Sequence, residues 1–283
     1  MEITVRTDMA SEAHRLLKGD GSVSALSGVK AQEEQLCGFS LYAVEILNPE
    51  GAAALKKPEG KYFTLELERF FERSSDSFSA AAGAVAQLIG RCLEGGVPSS
   101  VLVAALGNPD ITPDALGPLT ASHLIVTRHL KNTGNPLFAS FHSLSLCRTG
   151  VLGTSGIESA QHIKTLCALL KPELVIAVDA LAGSDPARLC RTIQISSYGI
   201  VPGSGVGNDR EELSRNYLGV PVIGIGVPTV IDAELLGYEE GGMFVTPRNI
   251  DSTVRSAARL IAYGINLAVH EGLSTGDIDM LVD

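Results

Sequence analysis

The stretch "LVIAVDALAG" (174–183) constrains this chain more than any other. An apolar run from Leu174 to Val178 meets one carboxylate, Asp179, and continues from Ala180 to Ala182. Such a run suits a strand covered on both faces of a sheet. "SVLVAALG" (100–107) and "VPVIGIGV" (220–227) repeat the pattern, and "FSLYAVEIL" (39–47), "KYFTLEL" (61–67), "TIQIS" (192–196) and "MFVT" (243–246) read as further strands. Helical spacing covers 79–93, 114–130, 156–170 and 250–270, with a short helix near 186–190. Strands alternating with helices make this an α/β chain, with a mostly parallel central sheet flanked by helices and extra N-terminal strands. The polar start, including "KGDGSVSALSG" (18–28), reads as flexible.

The acid in that strand needs a reason. Burying an unpaired carboxylate costs roughly 4–7 kcal/mol, against about 5–15 kcal/mol for the stability of a whole domain. Such a group is paired, open to a cleft, or kept neutral for a task. Ligands of parallel sheets collect at the carboxyl ends of strands, and Asp179 stands near that end. Asp114, in "GNPDITPDALGP" (107–118), follows the same end of strand 100–107, so both acids are candidates for one crevice. Thr112 and Pro113 would open a helix there, with Asp114 at its positive end. Two simpler readings stand beside this one: Asp114 as a complement to the helix dipole, and Asp179 as the salt-bridge partner of Arg188 or Arg191. Asp232, in "VPTVIDAE", also follows an apolar strand and is a candidate supporting acid.

Other chemistries find little support. No G-x-x-x-x-G-K-[ST] phosphate cradle is present. "GSGVGN" (203–208) has Asn208 where a dinucleotide fingerprint needs Gly, and "GTSGI" (153–157) has Ile157 where a nucleophile elbow needs Gly. The six His show no HExxH spacing; His123 and His129 fall six apart on one expected helix. The net charge of -10 disfavours direct nucleic-acid binding and favours basic partners. The five Cys form no CxxC pair and read as reduced thiols of a cytoplasmic protein. No signal peptide or membrane span is expected.

Several segments resemble the germination proteases, the spore endopeptidases of spore-forming bacteria. They include "VRTDMASEA" (5–13), "GKYFTLE" (60–66), "LGNPDITPDALGPLT" (106–120), "GVLGTSGIES" (150–159), "KPELVIAVDALA" (171–182), "TIQISSYGIVPGSGVGNDREELS" (192–214) and "GVPVIGIGVPTVIDA" (219–233). The resemblance implies a protease that degrades small acid-soluble spore proteins on DNA during germination. It also implies a zymogen that clips its own N-terminus, a fold similar to hydrogenase-maturation proteases, a homotetramer, and a place in the forespore and spore core. The family's two catalytic aspartates fall on Asp114 and Asp179, and no cofactor is implied. "TDMASE" (7–12) is similar to the sites the family cuts: an acidic residue, then an apolar one, Ala, Ser and Glu. Cleavage is therefore expected between Asp8 and Met9, separating a propeptide (1–8) from a single protease domain (9–283). Backbone N–H groups at Gly203, Ser204, Gly205, Gly207 and Asn208 are candidates to hold an oxyanion or substrate. The chain departs from the family in lacking a longer insertion after Asp232, and in carrying Asp209 where a basic residue is expected. Two other functions remain open at this point: a metal-dependent maturation-type protease using Asp114, Asp179 and a His such as His123, and an inactive homologue that only binds spore proteins.

Overall fold

The structure, a computed structural model, describes residues 7–18, 26–131, 133, 136–202, 211–238 and 242–282. The N-terminal part runs α1 (Ala10–Lys18), β1 (Val29–Leu36), β2 (Phe39–Ile46), α2 (Pro49–Leu55), β3 (Gly60–Glu66) and α3 (Asp76–Arg91). The middle runs β4 (Ser100–Leu106), α4 (Leu116–Ala121), α5 (Arg128–Lys131), β5 (Ser143–Gly150), α6 (Leu152–Ser155), α7 (Ser159–Leu170) and β6 (Leu174–Gly183). The last part runs β7 (Thr192–Ser196), β8 (Gly199–Ile200), β9 (Leu213–Ser214), α8 (Arg215–Leu218), β10 (Val222–Asp232), β11 (Phe244–Val245), α9 (Ile250–Val269) and α10 (Thr275–Val282).

The main sheet has the order β1-β2-β3-β7-β10-β6-β4-β5, with β11 on β10. Strands β10, β6, β4 and β5 pair in parallel. Strands β1, β2, β3 and β7 pair antiparallel, and β7 joins the halves by pairing antiparallel with β10. This is the α/β sheet with a parallel centre and N-terminal strands that the pattern implies.

Alternation along each strand fixes what covers each face. Leu174, Ile176 and Val178 of β6 pack with α3 and α9, whereas Val175 and Ala177 pack under Ile163 and Cys167 of α7. On that second face, α1 and α2 cover the antiparallel half through Ala10, Ala13 and Leu55 against Tyr42, Val44 and Tyr62. Every residue from Met9 to His14 is buried. The start of the chain, read from sequence as flexible, is thus partly a packed layer; residues 19–25 lie outside the described residues.

Three expected helices differ. The span 114–130 is a 3-10 turn at Thr112–Asp114, then α4, then α5, with non-helical chain between the two helices. Tertiary bonds replace helical ones there. The Ile125 N–H donates to Asn266 Oδ1 (3.0 Å), the Thr127 N–H to the Leu144 carbonyl (3.1 Å), and Thr127 Oγ1 to the His142 carbonyl (2.5 Å). His123 and His129 therefore share no helix. Gly156, at φ 71°, separates α6 from α7. The expected helix near 186–190 is a turn, in which Asp185 Oδ1 accepts from the Ala187 N–H (2.9 Å) and Cys190 adopts φ 56°.

Candidate functional site

The pairing of β4 with β6 ends at Ala105–Val178. Beyond it β4 turns away and β6 continues, so Asp179 is the first β6 residue past the split. Asp114 returns into the same opening from the 3-10 turn. Its Oδ2 accepts from the Asn108 N–H (2.8 Å). Gly107 permits this approach: it sits at φ +105°, and a Cβ there would lie 2.0 Å from the Asp114 carbonyl oxygen. Asp114 and Asp179 line one cleft of about 440 Å3, together with Gly107, Pro113, Leu181 and Asp8. Asp179 is 5% exposed, and its Oδ1 accepts from the Ala180 N–H (2.9 Å). Arg188 is committed elsewhere, to Glu66, Asp185 and Ser11.

Asp8 enters this cleft on the chain's own N-terminal segment. Its N–H donates to the Ala182 carbonyl (2.9 Å), and its Oδ2 accepts from the Ala182 N–H (2.8 Å). Lys56 and Lys57 line an adjoining cavity with Asp8. Burial pushes the Lys57 ammonium below its ordinary range, and the negative charges of Asp8 and Glu12 oppose that. Met9 is 0% exposed among Leu102, Leu106, Val175 and Ala177. The Glu12 Oε2 accepts from the Ser184 N–H (2.7 Å), Ser184 Oγ (2.8 Å) and Thr7 Oγ1 (2.5 Å).

This segment follows one row of the sheet. Tyr42 pairs with Thr64, Thr64 with Gln194, Gln194 with Gly226, and Gly226 with Asp179. Directly paired residues point to the same face. Above that row, His14 Nδ1 lies 2.7 Å from the Tyr42 hydroxyl, and Thr64 Oγ1 donates to Ser11 Oγ (3.0 Å). Next along it, Gln194 Oε1 accepts from the Ala10 N–H (2.7 Å) and Gln194 Nε2 donates to the Asp8 carbonyl (3.0 Å). The chain thus crosses four strands toward Asp179. The arrangement brings two carboxylates and the segment that leads into α1 to one place.

Other sequence candidates lie elsewhere. Asp232 ends β10, and its Oδ1 accepts from the Glu234 N–H (3.0 Å), capping a short 3-10 helix. Gly203, Ser204, Gly205, Gly207, Asn208 and Asp209 lie outside the described residues. His123 lines a different cavity, with Arg73, Arg255 and Arg259. Among the described residues, no group of three or more His, Cys, Asp or Glu is placed to hold a metal ion. Thr112 donates to Asp251 (2.9 Å) rather than capping, and α4 begins two residues after Asp114. Gln194, Ser184 and Lys57 were not legible as site residues. For Gln194 a signal exists: like Asp179, it is a polar residue inside a buried strand, here "TIQIS".

A sequence model of the family described as Germination protease matches residues 5–240. A germination protease of Caldanaerobacter subterraneus subsp. tengcongensis is 37% identical, covering 98% of this chain and 98% of that protein. One from Clostridium perfringens strain 13 is 33% identical, covering 99% of each. Among solved structures, the NiFe hydrogenase maturation protease HycI from Thermococcus kodakarensis KOD1 matches with a TM-score of 0.37 and 19% identity, over 63% of this chain and 98% of that one. With a family match across most of its length and relatives aligned from end to end, the chain belongs to the germination protease family.

Proposed function

We propose that this protease is an endopeptidase that cuts small acid-soluble, DNA-binding spore proteins, and that Asp114 and Asp179 act as its catalytic pair. One observation carries the reading: both carboxylates line a cleft that Asp8 also lines. Two acids in one site share a proton, because two negative charges that close repel. The ionised member takes a proton from water, whose oxygen attacks the peptide carbonyl carbon. The neutral member donates its one proton to the carbonyl oxygen; the other member then passes the proton taken from water to the leaving amine as the C–N bond breaks, and the new hydroxyl returns its proton to the first carboxylate. A net charge of -10 attracts basic, flexible substrates.

In this reading the chain is made as a precursor that cuts itself between Asp8 and Met9, releasing residues 1–8 from a single protease domain. Its oligomer is a homotetramer in the forespore and spore core, as in the family the sequence resembles. Residues 203–208 contribute N–H donors to the oxyanion or substrate. The test compares wild type with Asp114→Asn and Asp179→Asn on a purified small acid-soluble spore protein, with and without chelator. The expected result is chelator-insensitive cleavage that falls at least about 100-fold in each variant. Wild-type rates in either variant exclude the pair, and loss of activity with chelator favours a metal-dependent protease. Intact substrate that stays bound favours an inactive binding protein.

A further inference from the structure

We propose that Gln194 grips the cleaved peptide by its backbone on both sides of the bond, and so sets which bond faces Asp179. The inference rests on the proposed cut after Asp8 and adds a residue to it. The Ala10 N–H is only a donor, so its partner on Gln194, 2.7 Å away, is the amide oxygen. That leaves Gln194 Nε2–H to point at the Asp8 carbonyl, 3.0 Å away, the carbonyl that water attacks. One planar amide therefore spans the Asp8–Met9 bond, with its donor before the bond and its acceptor after it.

The sheet sets the rest of the geometry. Gln194 and Asp179 stand two strands apart in one row, about 10 Å between Cα atoms at ordinary strand spacing. The residue between them is Gly226, and the Leu181 side chain packs over it, with Cγ 2.5 Å from where a Cβ would stand. The peptide is held by Gln194 on one side of Leu181, and its Asp8 lines the same cleft as Asp179. Gln194 is 6% exposed, so its bonds compete little with water. Both contacts go to backbone atoms, so they fix register for any sequence in the cleft. Side-chain choice falls to other residues, such as the Met9 pocket and Ser184 at Glu12. As the peptide carbonyl becomes tetrahedral, its oxygen gains negative charge and the Nε2–H bond strengthens.

The test uses the full-length chain, wild type against Gln194→Met and Gln194→Glu, both close in shape to Gln. Self-cleavage is followed by intact mass, and folding by thermal unfolding. The expected result is release of residues 1–8 from wild type, with that cut slowed about 100-fold in both variants, the loss falling mainly in kcat for an added peptide. A peptide of residues 1–18 with an N-methyl group on Ala10 tests the other contact without altering the enzyme. Wild type should cut it about 5–10-fold more slowly than the parent peptide, and Gln194→Met should show no such difference. Equal rates for the two peptides with wild type, or unchanged self-cleavage in both variants, overturn the role of Gln194 and leave the cut after Asp8 standing. A wild-type chain and parent peptide that are never cut after Asp8 overturn both.

Discussion

Gly226→Ala tests whether the close packing of Leu181 over the row between Gln194 and Asp179 matters to the site. An added Cβ would lie 2.5 Å from Leu181 Cγ, 2.7 Å from Leu181 Cδ1 and 2.9 Å from the Asp179 carbonyl oxygen. The last is backbone in a buried strand and yields only if β6 moves. Leu181 is 5% exposed and would have to turn into the cleft it lines. Overpacking of this kind costs about 1–3 kcal/mol. With a urea m-value of about 2–3 kcal/mol per molar, the unfolding midpoint should drop by roughly 0.3–1.5 M. Peptide cleavage should fall further than stability explains, because any shift of β6 carries Asp179 with it. Gly153→Ala is the matched control: nothing lies within 4 Å of its added Cβ. Urea unfolding and cleavage rate are measured on both variants. If Gly226→Ala matches wild type in both, the close packing over this row plays no part in the site, and the placement of the peptide there is wrong.

Met9→Ala should destabilise the chain by about 2–4 kcal/mol, because Met9 is fully buried among core residues of β4 and β6. An unchanged thermal midpoint would mean that the N-terminal segment does not pack as described. His270 gives a pH dependence. Burial holds its imidazole below the ordinary value, with His142 adding to that and the bond to the Ile125 carbonyl opposing it. The unfolded chain then binds the proton more readily, so stability is complete above about pH 6.5 and falls as pH drops toward the lower folded value. His270→Gln should flatten the urea midpoint against pH below about 6.5. An unchanged slope would remove His270 from the acid response.

Much of the fold was open to reading because apolar runs report burial directly. The runs at 100–107, 174–183 and 220–227 are strands of the parallel centre, and Asp179 stood out because a charge inside such a run is costly. Polar segments were harder. The mostly polar residues of Val29–Leu36 form an edge strand held by pairing with β2, and a cross-strand partner is invisible to a local pattern. The helix expected over 114–130 failed for the same reason: Asn266, Leu144 and His142 come from elsewhere in the chain and claim its backbone.

The linear chain by itself determined the class of fold, the family and the identity of two suspect acids, because burial pattern and motif are properties of neighbouring residues. Only the tertiary structure decided that Asp8, Gln194 and Asp179 belong to one place. Their row exists because four strands from distant parts of the chain are paired in register, and register is set by packing between elements rather than within them.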